Sequence, residues 1–149
     1  MKKIILIFAS MLLVCNLFSQ QPIPNYKALK SFKGDTKSYL KKNFVDRQNV
    51  YIGKTIGELL KEIEMKPTGF DFYNSAGYCM GINLFFESKP GFPAGKKILS
   101  IAFEEPFTMK PLANIMKVYP CDTWVNAHYE FFKDKKIKKI LYNPYENGN

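Results

Sequence analysis

The chain has 149 residues, of which 46% are hydrophobic and 15% aromatic, with 22 basic and 13 acidic residues and a formal net charge of +9. This apolar content excludes a disordered chain, because disordered sequences are poor in aromatic and branched residues. Arg47 is the only arginine. A lysine excess without arginine forks argues against a nucleic-acid-binding protein.

The chain opens with MKKIILIFASMLLVCNLFSQQ, in which two lysines precede an apolar run and a small residue precedes a polar one. We interpret residues 1–20 as a secretory signal peptide, which places the mature chain in the periplasm or the medium. A retained membrane anchor is the alternative, but the run is shorter than the roughly 20 apolar residues of a spanning helix. We therefore expect no transmembrane segment after cleavage. Lipid anchoring through Cys15 is the minority interpretation, because Val14 and not a small residue precedes it.

Cleavage leaves about 130 residues, enough for one domain. It also leaves 20 basic and 13 acidic residues, an excess that favours weak attraction to anionic envelope surfaces. Cys79 and Cys121 remain, and an even pair in an oxidising compartment predicts one disulfide, worth about 3–4 kcal/mol for a loop of about 40 residues. Two buried free thiols are the alternative, since the sequence does not give the separation of the Cα atoms.

Residues 21–34 contain two prolines and a glycine without a clean period, so they are expected to be an irregular lead-in to a single domain at 35–149. Asp35 is placed as the N-cap of a helix near residues 36–45. In GKTIGELLKEIEM, Thr55 and Glu58 have capping-box spacing. An apolar stripe then predicts a helix near residues 55–65; its members are Ile56, Leu59, Leu60 and Ile63.

The segment GKTIGELL resembles the helix start of BamE-like outer-membrane-assembly lipoproteins and of β-lactamase-inhibitor proteins. These carry a glycine, a threonine cap and an apolar helix ahead of a sheet. The leader ending LFSQ and the lysine- and asparagine-rich body also resemble uncharacterised exported proteins of Bacteroidetes-type bacteria. The resemblance implies a small exported α+β protein and transfers no site residue.

Alternating apolar residues predict a β-hairpin in the middle of the chain. Ile82, Leu84 and Phe86 alternate with other residues in the first arm, KPGFPAG forms the connection, and Leu99, Ile101 and Phe103 alternate in the second arm. The preceding segment GFDFYNS adds a short strand. A helix near residues 110–118 follows, with Thr108 as its candidate cap and Pro111 tolerable in its first turn.

The final stretch, NAHYEFFKDKKIKKILYNPY, is interpreted as a second hairpin. Lys133 to Lys136 would form its turn, and Lys138 and Lys139 would lie on a solvated edge strand, where lysine discourages aggregation. A membrane-surface strip is the alternative, although helical spacing is missing. Together the two hairpins suggest a helix-strand-strand repeat. The predicted fold is α+β, with an antiparallel sheet of four to five strands and about three helices mainly on one face.

The sequence offers no convincing catalytic, metal-binding or cofactor-binding set. His128 is expected in a strand as a surface or half-buried histidine, and a Cys121–His128 nucleophile and base is the weaker interpretation. Glu104 and Glu105 are adjacent, so on a strand they would point to opposite faces. The GKT at residues 53–55 lacks the upstream glycine of a phosphate-binding loop.

The functional hypothesis is therefore a non-enzymatic exported protein that binds an unidentified partner or ligand in the cell envelope. Its candidate interaction surface consists of Trp124, Tyr129, Lys135, Lys136, Lys138 and Lys139. A small secreted enzyme or small-molecule carrier, with a site assembled across the fold, is the alternative.

Overall fold

The computed structural model describes residues 25–86 and 97–142. The segments on which the signal-peptide and Cys15 interpretations depend lie outside these ranges, as does the whole KPGFPAG connection. The described part forms four α-helices and four strands. The helices are α1 (Thr36–Leu40), α2 (Ile56–Glu62), α3 (Met109–Met116) and α4 (Asn126–Phe132), and the strands are β1 (Gly69–Ser75), β2 (Tyr78–Phe85), β3 (Ile98–Thr108) and β4 (Ile137–Tyr142).

The predicted helix near residues 36–45 is confirmed, with an unexpected change of pitch. The Asp35 carboxylate accepts a hydrogen bond from the Ser38 N–H, as the cap prediction required. α1 then continues as a π-helical turn over Lys41–Val45. In this turn the buried Asn43 side chain bonds the backbone N–H and C=O of Lys27 at 2.9 and 2.8 Å. The lead-in, which includes a 3₁₀ turn at Leu29–Phe32, is thereby held against the domain.

The capping box at the start of α2 is also confirmed. The Thr55 hydroxyl accepts from the Glu58 N–H, and the Glu58 carboxylate accepts from the Thr55 N–H. Two further N–H groups of the first turn, those of Ile56 and Gly57, donate to the backbone carbonyls of Lys135 and Lys133. The N–H groups that a helix start leaves without helical partners are therefore used to join α2 to the lysine-rich segment.

The four strands form one antiparallel sheet in the order β1-β2-β3-β4, which confirms the α+β class and the central hairpin. The GFDFYNS segment forms β1, as predicted. Side chains that alternate along the strands build the buried face, among them Phe70, Ile82, Leu84, Leu99, Ile101 and Ile140. The helices pack on this face, where Phe132 of α4 lies 5.5 Å from Phe70 and 6.1 Å from Phe103 between ring centroids.

The second hairpin prediction is wrong in its first arm, because residues 126–132 form α4 instead of a strand. The physical reason is visible in the burial pattern. His128 and Phe132, four residues apart, are both fully buried, and this spacing puts them on one helical face. The second half of the chain is thus helix-helix-strand, and the proposed helix-strand-strand repeat is not formed.

The second arm of that hairpin is confirmed. Lys133 to Lys136 connect α4 to β4, and β4 is an edge strand on which Lys138 and Lys139 are exposed. Within residues 25–86 and 97–142, no helix has the length and apolar character needed to cross a membrane.

Gly69, at the start of β1, permits a close approach that positions the loop before α4. A Cβ at this position would lie 2.8 Å from the carbonyl oxygen of Asp122 and 2.9 Å from that of Cys121. We expect Gly69→Ala to push this loop away and to lower the free energy of unfolding by about 1–3 kcal/mol. Urea denaturation followed by the fluorescence of Trp124 measures this change.

The control is Ser75→Ala, at the exposed end of the same strand, which should stay within about 0.5 kcal/mol of the wild type. Equal urea midpoints for Gly69→Ala and the wild type would show that the loop does not depend on this approach.

Candidate functional site

Trp124 and Tyr129, two residues of the predicted interaction surface, line an open groove between the end of α2 and the start of α4. Its volume is about 530 Å³, within the range of small-molecule and side-chain binding sites. We call it the α2–α4 groove. Its apolar lining consists of Leu60, Ile63, Met65, Pro67, Trp124, Val125 and Tyr129, and its polar lining of Lys61, Glu64, Lys66 and Asn126.

Trp124 is held in place by both its backbone and its ring. The backbone N–H of Trp124 donates to the Thr68 carbonyl at 2.9 Å. The indole lies edge-on to Phe70 at 5.8 Å and stacks on Phe132 at 6.2 Å between centroids. These contacts restrict the motion of the ring, and a side chain that is already fixed loses little entropy when it takes part in an interface.

His128 lies below the groove and has a structural role. It is fully buried, and its Nδ1 accepts a hydrogen bond from the Val125 N–H at 3.3 Å. Its Nε2 then donates to the Tyr119 carbonyl at 3.0 Å. Both ring nitrogens are occupied, so His128 is poorly placed to act as a base. Its expected position on the surface or half-buried in a strand was wrong.

Glu64 faces the groove but is committed to the lead-in segment. One carboxylate oxygen accepts from the Tyr26 hydroxyl at 2.8 Å, and both oxygens lie 3.2 Å from the Leu29 N–H. Burial, followed by hydrogen bonds to Tyr39 and Glu64, raises the pKa of Tyr26 far above its usual range, so its hydroxyl stays a donor. The Tyr26 hydroxyl and the Leu29 N–H are neutral donors, so the carboxylate keeps its charge; with Lys61 and Lys66 it leaves one net positive charge at the rim.

The lysines of the predicted surface do not join Trp124 and Tyr129 in the groove. The Lys135 ammonium lies over the Phe107 and Phe131 rings, at 4.7 and 5.5 Å from their centroids. The carbonyl of Lys136 accepts from the Glu104 N–H. Lys138 and Lys139 line a different cleft, beside β4. The structure therefore divides the predicted surface into separate regions.

The predicted Cys79–Cys121 disulfide is wrong, and both cysteines are free. The Cys121 carbonyl accepts from the Phe70 N–H near the start of β1, whereas Cys79 pairs with Asn74 near its end. Four residues of strand span about 13 Å, and a disulfide needs Cα atoms within about 7 Å. Cys79 is fully buried, and burial raises its pKa to about 11, which makes it a weak nucleophile.

Sequence reasoning missed most of the groove. Leu60 was assigned to the apolar stripe of α2, but in the fold it is only partly buried and lines the groove. Met65 and Pro67 carried only a helix-ending signal. Among residues 25–86 and 97–142, no cluster of three or more His, Cys, Asp or Glu side chains is arranged to hold a metal ion.

Comparisons with protein-family models, with curated proteins and with solved structures give no match to this chain.

The two free thiols should differ in reactivity. Burial raises the pKa of both thiols, but Cys121 is partly exposed, whereas Cys79 is fully buried. With a pKa of about 11, Cys79 has about a hundredfold less thiolate at pH 8 than a thiol at the ordinary value of 9.0. We expect iodoacetamide to modify Cys121 first and Cys79 only after unfolding in urea, as measured by peptide mass mapping. A gain of two hydrogens on reduction, located in peptides with Cys79 and Cys121, would contradict this arrangement.

Stability should fall at alkaline pH. Burial raises the pKa of Cys79 from 9.0 to about 11 and that of Tyr73 from 10.0 to about 12. Because both groups ionise more readily in the unfolded chain, their contribution is complete below pH 9 and is lost as the pH rises through 11 and 12. Urea midpoints measured across this range test the decline. In the Tyr73→Phe variant, the urea midpoint should fall less steeply with pH above pH 10 than in the wild type. An unchanged slope would contradict the assignment to Tyr73.

Proposed function

We propose that the chain is an exported, non-enzymatic binding protein of the cell envelope that receives apolar side chains of a partner protein in the α2–α4 groove. The observation that carries the proposal is the presence of Trp124 and Tyr129 beside Leu60 and Met65 in one open groove. Tryptophan and tyrosine dominate the energetics of protein interfaces because they bury a large area at a low entropic cost.

The charge of the groove favours a particular kind of partner segment. Lys61 and Lys66 are exposed at the rim and outnumber the one carboxylate of the lining, Glu64, so the groove carries one net positive charge. A segment that inserts an aromatic or aliphatic side chain and carries an acidic residue next to it would complement this arrangement. Because the lysines are exposed, they would affect the association rate and its salt dependence more than the final affinity.

The alternative of a secreted enzyme has less support from the titratable groups of the described residues. His128 uses both ring nitrogens in backbone hydrogen bonds, and Cys79 is buried with a raised pKa.

The alternative of a small-molecule carrier predicts a tightly held extra mass in native mass spectrometry of protein purified from its host. A bare polypeptide mass is expected if the groove serves a partner protein.

Photo-crosslinking in the host envelope tests the groove. With p-benzoylphenylalanine in place of Tyr129, we expect a discrete protein adduct. Leu60→Arg should reduce its yield at least about tenfold, because it places a cation where the partner inserts an apolar group. Leu60 is only partly buried, so the fold should survive, and circular dichroism melting checks this.

The matched control is Val118→Arg, a change of the same kind at a residue that is 67% exposed and outside the groove. It should leave the adduct at position 129 unchanged. An adduct that persists in Leu60→Arg, or one equally abundant from a reporter at position 118, would contradict the proposal. A reproducible hydrolase or transferase activity that one side-chain change abolishes would also overturn it.

A further inference from the structure

Each pair of neighbouring strands in the described sheet has one break in register, and the breaks lie on one line across the sheet. Between β1 and β2 the break falls at Tyr73/Asn74, and between β2 and β3 at Cys79/Gly81. Between β3 and β4 it falls at Ala102/Phe103. Just before the breaks, Tyr73, Gly81, Ala102 and Lys139 are paired in one row.

The residues at these breaks line a single cleft of about 540 Å³, which we call the bulge cleft. Seven of its lining residues lie at or next to a break: Tyr73, Met80, Ala102, Phe103, Glu104, Lys138 and Lys139. Tyr73 follows Phe72, a partly buried residue that packs against the core, so the Tyr73 side chain and the cleft lie on the sheet face opposite the helices. Bulges concentrate next to binding sites, where they redirect side chains.

The break in β4 explains why two adjacent lysines share the cleft. Ala102 pairs with Lys139 and Phe103 with Ile137, which leaves Lys138 as the extra residue of a bulge. In a regular strand Lys138 and Lys139 would point to opposite faces. Here both line the cleft, and both are exposed.

The floor and the far wall of the cleft are apolar. Met80 and Ala102 are partly buried, and Ile52, which precedes α2, is 48% exposed. The Tyr73 ring lies across Gly81, occupying the space where a Cβ would stand. The segment that contains Gln48 and Ile52 is attached to β4, because the Gln48 side-chain oxygen accepts a hydrogen bond from the Ile140 N–H at 3.4 Å.

We infer that the bulge cleft binds a small monoanionic amphiphile, a carboxylate on a short apolar chain, with Lys138 and Lys139 at its charged end. Two ammonium groups and the Glu104 carboxylate leave one net positive charge, which complements a single negative charge. Lysine attracts an anion as a point charge and needs no planar paired geometry. The apolar chain would lie on Met80, Ala102 and Ile52. This site is separate from the α2–α4 groove.

Methyl NMR of the full chain labelled with [methyl-¹³C]methionine provides the test, because Met80 lines the bulge cleft and Met65 lines the α2–α4 groove. Octanoate is the probe, and octylammonium, octanol and acetate are the comparison compounds. We expect octanoate to shift the Met80 signal saturably below about 10 mM while Met65 stays in place. Octylammonium and acetate should cause no saturable shift in this range, and octanol should bind more weakly than octanoate.

The double variant Lys138→Gln/Lys139→Gln should weaken octanoate binding about tenfold. Its matched control, Lys110→Gln/Lys117→Gln, removes the same charge from exposed positions of α3 and its C-cap and should change the affinity less than about twofold. Ala102→Leu, which fills the cleft without changing its charge, should abolish the Met80 shift.

Three results would overturn the inference: no saturable Met80 shift, equal binding of octylammonium, or an unchanged affinity in the Lys138/Lys139 variant. The last result would indicate that these lysines serve only to discourage aggregation at the edge strand β4. Because Met65 reports on the other groove in the same spectrum, failure here is distinguishable from failure of the proposed partner binding.

Discussion

The architecture depends on a backbone clamp between residues 53–57 and residues 133–137, which lie far apart in the chain. Four hydrogen bonds form it: Gly53 N–H to Ile137 O, Ile137 N–H to Lys54 O, Ile56 N–H to Lys135 O and Gly57 N–H to Lys133 O, at 2.8–2.9 Å. The clamp gives partners to the first N–H groups of α2 and covers the outer edge of β4 at Ile137. Backbone atoms form these bonds, so the lysine side chains of the segment make separate contacts: the Lys133 ammonium pairs with Glu130, and the Lys135 ammonium lies over the Phe107 and Phe131 rings.

Both candidate sites follow from this clamp. By fixing the start of α2 against the end of α4, it sets these helices side by side, and Gly57 allows the approach, since a Cβ there would lie 3.1 Å from the Lys133 carbonyl oxygen. The opposite ends of the two helices then border the α2–α4 groove. The same clamp holds the segment with Gln48 and Ile52 beside β4, where it completes the bulge cleft. Two clefts on different faces of the sheet therefore share one cause.

The sequence predicted correctly those features that depend on residues close together in the chain, namely the helix caps and the central strands. The Asp35 cap, the Thr55/Glu58 capping box and the alternation of the central strands each involve residues within a few positions of one another, and all are present. The error at α4 arose because the whole stretch NAHYEFFKDKKIKKILYNPY was interpreted as a hairpin, with Lys133 to Lys136 as its turn. The helical spacing of Val125, His128, Tyr129 and Phe132 was present but not used. The disulfide and the groove depended on distances between remote segments, which no local pattern encodes.

Buried polar side chains form hydrogen bonds on both faces of the sheet, and on the face opposite the helices the Ser100 hydroxyl donates to the Asn83 side-chain oxygen at 2.6 Å. On the helix side and around it, buried polar side chains are fully committed: Asn43 to Lys27, and His128 to Val125 and Tyr119. Such groups destabilise alternative packings, because any other arrangement would leave them buried without partners. On the opposite face, regular strand pairing is interrupted along one line, and the polar side chains of Lys138 and Lys139 line the bulge cleft there. A fold that needed only stability would keep that pairing, so the aligned breaks are best explained by what the cleft binds.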